Sequence, residues 1–377
     1  MTEPLRVLQV MTSLDRGGME TMTMNFYRNI DRSRVQFDFL LHRDGEGDYE
    51  AEARSLGARV FRVPRQNPLS RNYWRALDHF FVCHPYKIVH AQLDCMSALP
   101  LAVARRHGAV VRIAHSHNSR QDRDYKYPLK LVCKRFIRRE ATDLFACGVE
   151  AGRWMFGTDD FAVVRNAIDV DAYAFDENRR ERVREALGIA PSAPVVGHVG
   201  RFSPVKNHAF ILDVFVETLK LRPDAVLVLV GDGELRAETE RRAEVLGISS
   251  NVHFLGVRSD VADLMQAMDV FFMPSRYEGL PLVLVEAQAS GLPCVISTSI
   301  PVDCDLRGSS ITRLSLDAPV VEWAAMVAGS SGEAIRSNGA EIVRRAGFDA
   351  RETAGWLGSF YLDRAGVSRW LGKRLLA

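Results

Sequence analysis

Apolar and polar positions along this chain follow two alternating periods. Short β-branched runs fall at residues 6–11, 35–41, 59–63, 88–91, 110–114, 144–147 and 162–164. Between most of them lie longer stretches with apolar residues three and four apart, at 20–30, 73–83, 98–106 and 129–140. The first set reads as strands and the second as helices. Strands joined through helices pair in parallel, so this rhythm predicts a parallel sheet covered by helices. Beyond Pro191 the rhythm restarts. Strands are predicted at 195–199, 225–230, 252–255, 270–273 and 293–297, and helices at 208–221, 235–246, 261–268 and 282–290. The fold class is therefore α/β, with two Rossmann-like, doubly wound parallel-sheet domains. Their expected bounds are 1–168 and 169–350, joined through Arg165-Asn-Ala-Ile-Asp-Val-Asp171. A final amphipathic helical segment, 351–377, is expected to pack back on the first domain.

Composition changes this picture little. A chain of 377 residues suits two domains, and 47% hydrophobic residues suffice for two cores. Forty-nine Lys and Arg against forty-seven Asp and Glu leave a formal charge of +2, which excludes a surface devoted to nucleic acid. No run approaches the roughly 20 apolar residues that span a bilayer. The first apolar run has no charged leader and is too short for a signal sequence. The six cysteines are scattered without a CxxC pair, as small core residues in a reducing compartment would be. The expected location is cytoplasmic, at most peripheral at the inner membrane face.

Candidate chemistry gathers where predicted strands end. Gly17-Gly18 follows the first strand and precedes a helix, so backbone can approach an anion there. A plain tight turn explains the pair equally well. The pattern is not GxGxxG, so a nicotinamide-dinucleotide site is poorly supported. In the second domain Gly200-Arg201-Phe-Ser-Pro-Val-Lys206 follows a strand, with a helix expected to start at Ser203-Pro204. Arg201 and Lys206 could converge on one pyrophosphate, or could be two solvated cations. The most specific segment is Pro274-Ser-Arg-Tyr-Glu278-Gly279-Leu280-Pro281-Leu-Val-Leu-Val-Glu286. Glu278 falls in a loop, and Glu286 falls on an apolar helix that starts near Pro281. A carboxylate on such a helix needs partners, and ribose hydroxyls are suitable ones. A core arginine is the structural alternative. Amides after Gly279 would face a phosphate or a sugar.

In this order, the glycine pair, Asn166-Ala-Ile-Asp169, Arg201…Lys206, Gly231-Asp-Gly-Glu234 and Glu278…Glu286 resemble the retaining glycosyltransferases of the GT-B fold, glycosyltransferase family 4. The resemblance is to the bacterial branch that builds exopolysaccharide and capsule, and it runs to about residue 300. It implies two domains facing a cleft and transfer of a sugar from a nucleoside-diphosphate-sugar, UDP ahead of GDP, to a glycan or lipid-linked acceptor. By resemblance Arg201 and Lys206 hold the diphosphate, Glu286 the ribose, and Glu278 with the backbone of Gly279, Leu280 and Pro281 the sugar. Gly256, Val257 and Arg258 flank the base, and Gly17 and Gly18 complete the site. His117 approaches the transferred sugar, with His115 as competitor. Asn118 and Asn166 are candidate sugar or acceptor contacts.

No cofactor or metal is implied, since the cations and helix N-termini can stabilise the leaving group. Asp169-Val-Asp171 matches D-x-D by letters, but it sits at the domain junction. Ala167 replaces the family's commoner glycine, and residues 298–305 lack its glycine-rich turn. The first domain shows no second carboxylate suited to act as a nucleophile, so displacement on one face is expected. Cations interleaved with apolar residues over 120–139 suggest peripheral contact with anionic lipid, or else a solvated basic helix. An epimerase of the same architecture and a non-catalytic nucleotide-sugar-binding scaffold are the competing readings.

Overall fold

The computed structural model describes residues 3–118, 127–330, 336 and 338–367. The chain divides into two compact units. Unit 1 is Met1–Ala167 with Ala350–Ala377, and unit 2 is Ile168–Asp349.

Unit 1 runs β1 (Leu5–Met11), α1 (Gly18–Asn29), β2 (Val35–Leu41), α2 (Glu50–Ser55), β3 (Val60–Arg62), α3 (Arg71–Cys83) and β4 (Ile88–Ala91). It continues through α4 (Ala98–Arg106), β5 (Val111–Ser116), α5 (Tyr127–Glu140), β6 (Asp143–Ala146), α6 (Val149–Phe156) and β7 (Ala162–Val163). All pairs are parallel, in the order β3-β2-β1-β4-β5-β6-β7. Alternation along each strand builds two cores. On β1, Leu8 and Val10 join the cluster under α3 to α6, while Val7 and Met11 join the one under α1. A C-terminal helix, Ala350–Arg364, closes the second cluster. Its residues Ala350, Ala354, Leu357 and Tyr361 recur every three or four positions and are all buried. That spacing puts them on one helical face, whose burial holds the helix in place.

Unit 2 begins with α7 (Val170–Tyr173) and α8 (Glu177–Ala186). It then alternates β8 (Val195–Val199), α9 (His208–Leu221), β9 (Val226–Val230), α10 (Arg236–Val245), β10 (Val252–Gly256), α11 (Val261–Ala267), β11 (Val270–Met273), α12 (Leu282–Ala289) and β12 (Cys294–Ser297). An edge strand β13 (Ile311–Leu314) and α13 (Val320–Gly329) follow. The parallel order is β10-β9-β8-β11-β12-β13. Strand order thus reverses at β1/β4 in one unit and at β8/β11 in the other. Connections leave in opposite directions there, which opens a crevice outside the strands' carboxyl ends.

Two departures from the sequence pattern have physical causes. Of the two starts read for the helix after β8, the one at His208 forms and Ser203-Pro204 lies in the preceding turn, because Asn207 takes a left-handed φ of 60° and turns the chain first. The α8 segment, Glu-Asn-Arg-Arg-Glu-Arg-Val-Arg-Glu-Ala, has almost no apolar stripe. It is held by an Asp176 cap on Arg179 N and by Arg184, which is 4% exposed and pairs with Asp269 at 2.6 Å. The five buried cysteines and exposed Cys83 are all free thiols. Among the described residues, no helix is long and apolar enough to cross a membrane.

Leu357 is 1% exposed. Leu357→Ala should cost about 2–5 kcal/mol by deleting a buried side chain and leaving a cavity. The check is urea unfolding followed by a probe in unit 1.

Candidate functional site

Unit 2 gathers its chemistry at the carboxyl edge of its sheet. After β8 the chain passes within van der Waals limits of the loop after β9. A Cβ on Gly231, whose φ is 135°, would lie 2.1 Å from the Gly200 oxygen, and one on Gly233 would lie 2.5 Å from the Phe202 oxygen. Only glycine allows that approach. Backbone bonds seal it, from Gly200 N to Val230 O and from Phe202 N to Asp232 O. The same loop is stitched to the one after β11, where Arg276 N donates to Val205 O at 2.8 Å.

The stitching brings Lys206 to Glu278. Lys206 Nζ lies 2.7 Å from Glu278 Oε1, with both side chains less than one-fifth exposed. Glu278 precedes an open stretch of backbone. Among the described residues, no acceptor meets the amides of Gly279, Leu280, Leu282 or Val283, where α12 begins after Pro281. Clustered amides with the α12 N-terminus favour negative charge. Arg201 does not share this pair. It is exposed and bonds to Glu234 at 3.0 Å. The two cations of one loop therefore rest on two different carboxylates.

Glu286 stands half-buried on α12. Burial raises its carboxyl from 4.5 to about 7, while a hydrogen bond from Tyr173 pulls the other way. Gly256, with φ 67°, ends β10 and accepts from Gly231 N at 2.8 Å. Beyond it Val257 is exposed, and Arg258 pairs with Asp260 at 2.5 Å. Asp169 caps α7 by accepting from Ala172 N, and Asp171 pairs with Arg344, so both serve the fold. Among the described residues, no group of three or more His, Cys, Asp or Glu could hold a metal ion.

Unit 1 carries a second constellation, at the β1/β4 crevice. A cavity of about 270 Å³ is walled by Thr12, Gln66, Gln92, Asp94, His117 and Lys130, among others. Gln66 Nε2 and both ring nitrogens of His117 are buried there without a hydrogen-bond partner among the described residues. Buried polar atoms left unpaired are costly, and a hydroxylated ligand in this cavity would satisfy them. Burial holds the His117 ring at about 4, below its ordinary 6.5, although Asp94 pulls it up, so the ring is neutral. His115 is fully buried and bonds to His90 at 3.1 Å, while its Nε2 has no partner among the described residues.

Asp94 escaped the sequence reading. It has a left-handed φ of 45°, unusual for a non-glycine residue, and both carboxylate oxygens are occupied. Oδ1 accepts from His117 N at 2.9 Å, and Oδ2 from Asn118 Nδ2 at 2.6 Å. No motif announces it, since Gln-Leu-Asp-Cys is unremarkable by letters. Gly17 caps α1 in an extended conformation, with Glu20 folded back against it, and Gly18 has open space beside it. Asn166 is buried, and its Oδ1 has no partner among the described residues. A larger cavity of about 590 Å³, lined by Asp143, Phe161, Trp356 and Arg364, opens at the start of β6, away from the strands' carboxyl ends.

The family described as "Glycosyl transferases group 1" matches residues 179–328, and "Glycosyl transferase 4-like domain" matches residues 17–156. The putative glycosyltransferase EpsF of Bacillus subtilis (strain 168) is 41% identical over 371 residues, covering 94% of this chain and 96% of that protein. The chain belongs to the GT-B glycosyltransferases. Among solved structures, HepE from Anabaena in complex with UDP resembles this glycosyltransferase with a TM-score of 0.76 at 20% identity, over 95% of this chain and 99% of that one. WaaG, a glycosyltransferase involved in lipopolysaccharide biosynthesis, follows the same fold with a TM-score of 0.66 at 18% identity, over 94% and 99%. The two-sheet α/β architecture expected from the sequence is thus the GT-B fold.

The raised Glu286 carboxyl of this glycosyltransferase has a signed consequence. Its folded state holds the proton more tightly than the unfolded chain, whose value is 4.5. Stability from this group is therefore lost as pH rises from there through about 7. Glu286→Gln removes the titration. The variant should gain stability relative to wild type as pH rises from about 5 to about 8. Urea unfolding across that range measures the difference, and a constant difference would remove the assignment.

Proposed function

We propose that this glycosyltransferase moves a sugar from a nucleoside-diphosphate-sugar, UDP ahead of GDP, to a glycan or lipid-linked glycan in surface polysaccharide synthesis, with retention at the anomeric carbon and without a metal. One observation carries the reading: Lys206 and Glu278 form a half-buried pair beside the open amides that begin α12. A diphosphate entering there would draw Lys206 from Glu278. The freed carboxylate could then accept hydroxyls of the transferred sugar. Lys206, Arg201 and the α12 N-terminus would neutralise charge as the diphosphate departs. Glu286 would accept the ribose hydroxyls, and these donors, added to Tyr173, would favour its ionised form against the effect of burial.

On unit 1, the unpaired nitrogens of His117 suit a sugar hydroxyl. Asp94 is engaged through both oxygens and so is poorly placed to attack a sugar carbon. That supports same-face displacement over a covalent intermediate. The donor assignment draws support from HepE, solved with UDP and with UDP-glucose. The acceptor assignment draws support from an Escherichia coli UDP-Gal:alpha-D-GlcNAc-diphosphoundecaprenol alpha-1,3-galactosyltransferase, which is 34% identical over 139 residues, 36% of each chain.

A panel of UDP- and GDP-sugars with glycan acceptors tests the reading, with the product anomer determined by NMR. Lys206→Ala and Glu286→Ala should each lower donor turnover by about 100-fold. Wild-type turnover in both variants would refute the site, and an inverted linkage would refute retention. Epimerised donor without transfer would favour the epimerase.

The membrane proposal rests on α5. Residues 120–126 of the basic segment lie outside the described residues. On α5 itself Leu131, Val132 and Phe136 are exposed, beside Arg135 and Arg139, while Cys133 and Ile137 face the core. Apolar side chains displayed among cations suit an anionic lipid surface. The protein should sediment with phosphatidylglycerol vesicles at low salt and far less with phosphatidylcholine, and Phe136→Asp should weaken the interaction. Equal recovery with both lipids would defeat it.

A further inference from the structure

Three neighbouring strands of unit 1 carry polar residues on the face that packs under the C-terminal helix. Gln9 on β1 stands opposite His90 on β4, and His115 lies at the end of β5. All are buried, as is Tyr361, which descends on them from the C-terminal helix. Gln92 Nε2 donates to Gln9 Oε1 at 2.8 Å, and Gln9 Nε2 donates to the Tyr361 hydroxyl at 3.4 Å. That hydroxyl lies 2.7 Å from His90 Nδ1, and His90 Nε2 lies 3.1 Å from His115 Nδ1. The His115 ring then packs on His117, with 4.3 Å between centroids.

The two ends of this chain, Gln92 and His117, both line the 270 Å³ cavity. Its middle is a single phenol supplied by the far end of the sequence. The donor order follows from the pairing. Because Gln92 gives its amide hydrogen to Gln9, the Gln9 amide faces Tyr361, and the phenol hydrogen goes to His90 Nδ1. His90 then carries its proton on Nε2 and donates to His115, whose own proton sits on Nε2. His115 Nε2 itself meets no hydrogen-bond partner among the described residues, so the His90 contact sets that ring's tautomer. Each bond polarises the next, and all of these side chains are buried.

We propose that Tyr361 is a positioning residue for the unit 1 cavity: its hydroxyl joins the two arms that orient Gln92 and His117. The inference rests on the reading of that cavity as a sugar or acceptor site. Without the hydroxyl, His90 Nδ1 loses its donor, the tautomers of His90 and His115 are no longer set, and the His117 ring loses a fixed neighbour.

The test is Tyr361→Phe in the full chain, which keeps the ring and removes the hydroxyl. Two-bond 15N–1H spectra of histidine-labelled protein should show Nε2–H tautomers for His90 and His115 in the wild type. In the variant these signals and those of His117 should shift or mix. With a working donor and acceptor, kcat should fall about tenfold at unchanged donor KM. Leu357→Ala, on the same helix but outside the chain of bonds, should lower stability while leaving the tautomers and kcat of the folded protein in place. Unchanged His117 signals in Tyr361→Phe, or a kcat within about twofold of wild type, would overturn the proposal. An equal loss in Leu357→Ala would also overturn it, by reducing Tyr361 to a packing residue. The spectra need no substrate. If no donor supports turnover, the glycosyltransferase site reading fails, and the positioning claim stands or falls on the His117 signals.

Discussion

Parallel pairing sends every strand of a sheet out at the same edge, and that constraint organises both units. The loops after β1, β4 and β5 meet at one edge of unit 1, and those after β8, β9 and β11 at one edge of unit 2. Backbone there has left the ladder and has no strand partner, so polar groups collect without interrupting the core. The reversal of strand order makes room beside them. Lys206 with Glu278, and His117 with Asp94, are products of the same geometry repeated in two sheets of different size.

What each unit does with that edge differs. Unit 2 places full charges in opposition, a lysine against a glutamate, beside amides with no acceptor among the described residues. A site of this kind is neutral at rest and can exchange one anion for another without creating a buried unpaired charge. Unit 1 instead holds neutral rings. Burial pushes His90 down to about 3 and His117 to about 4, so the histidines act through hydrogen-bond direction and shape, not charge.

The sheets were legible in the sequence because their strands are short β-branched runs buried on both faces, and such runs need little context. Glu278, Glu286, Arg201 and Lys206 were legible as chemistry, but their pairing was not. The bond of Lys206 to Glu278 spans 72 positions and depends on the stitching of two loops, while Arg201 points instead to Glu234. The Ser203-Pro204 start signal misled because a left-handed asparagine follows it, whereas the apolar pattern over 208–221 marked the helix that forms. Asp94 was invisible because its importance lies in its backbone angle and in two donors more than twenty positions away. The α8 helix was missed because an arginine buried against carbonyls does the work usually done by an apolar stripe.

The C-terminal helix also bears on how the chain is made. Unit 2 is one continuous stretch, whereas unit 1 is interrupted by it, with residues 168–349 emerging between the seventh strand and the helix that closes the core. During synthesis, domains tend to fold as they emerge. Here the first unit to begin is the last to finish. The part of its sheet face that this helix packs on, with Phe37, Phe145 and the polar row of Gln9 and His90, waits for its cover on the ribosome while the whole of unit 2 is translated. An early stop anywhere in unit 2 therefore releases a protein with an open apolar face, a substrate for chaperones instead of a half-active enzyme.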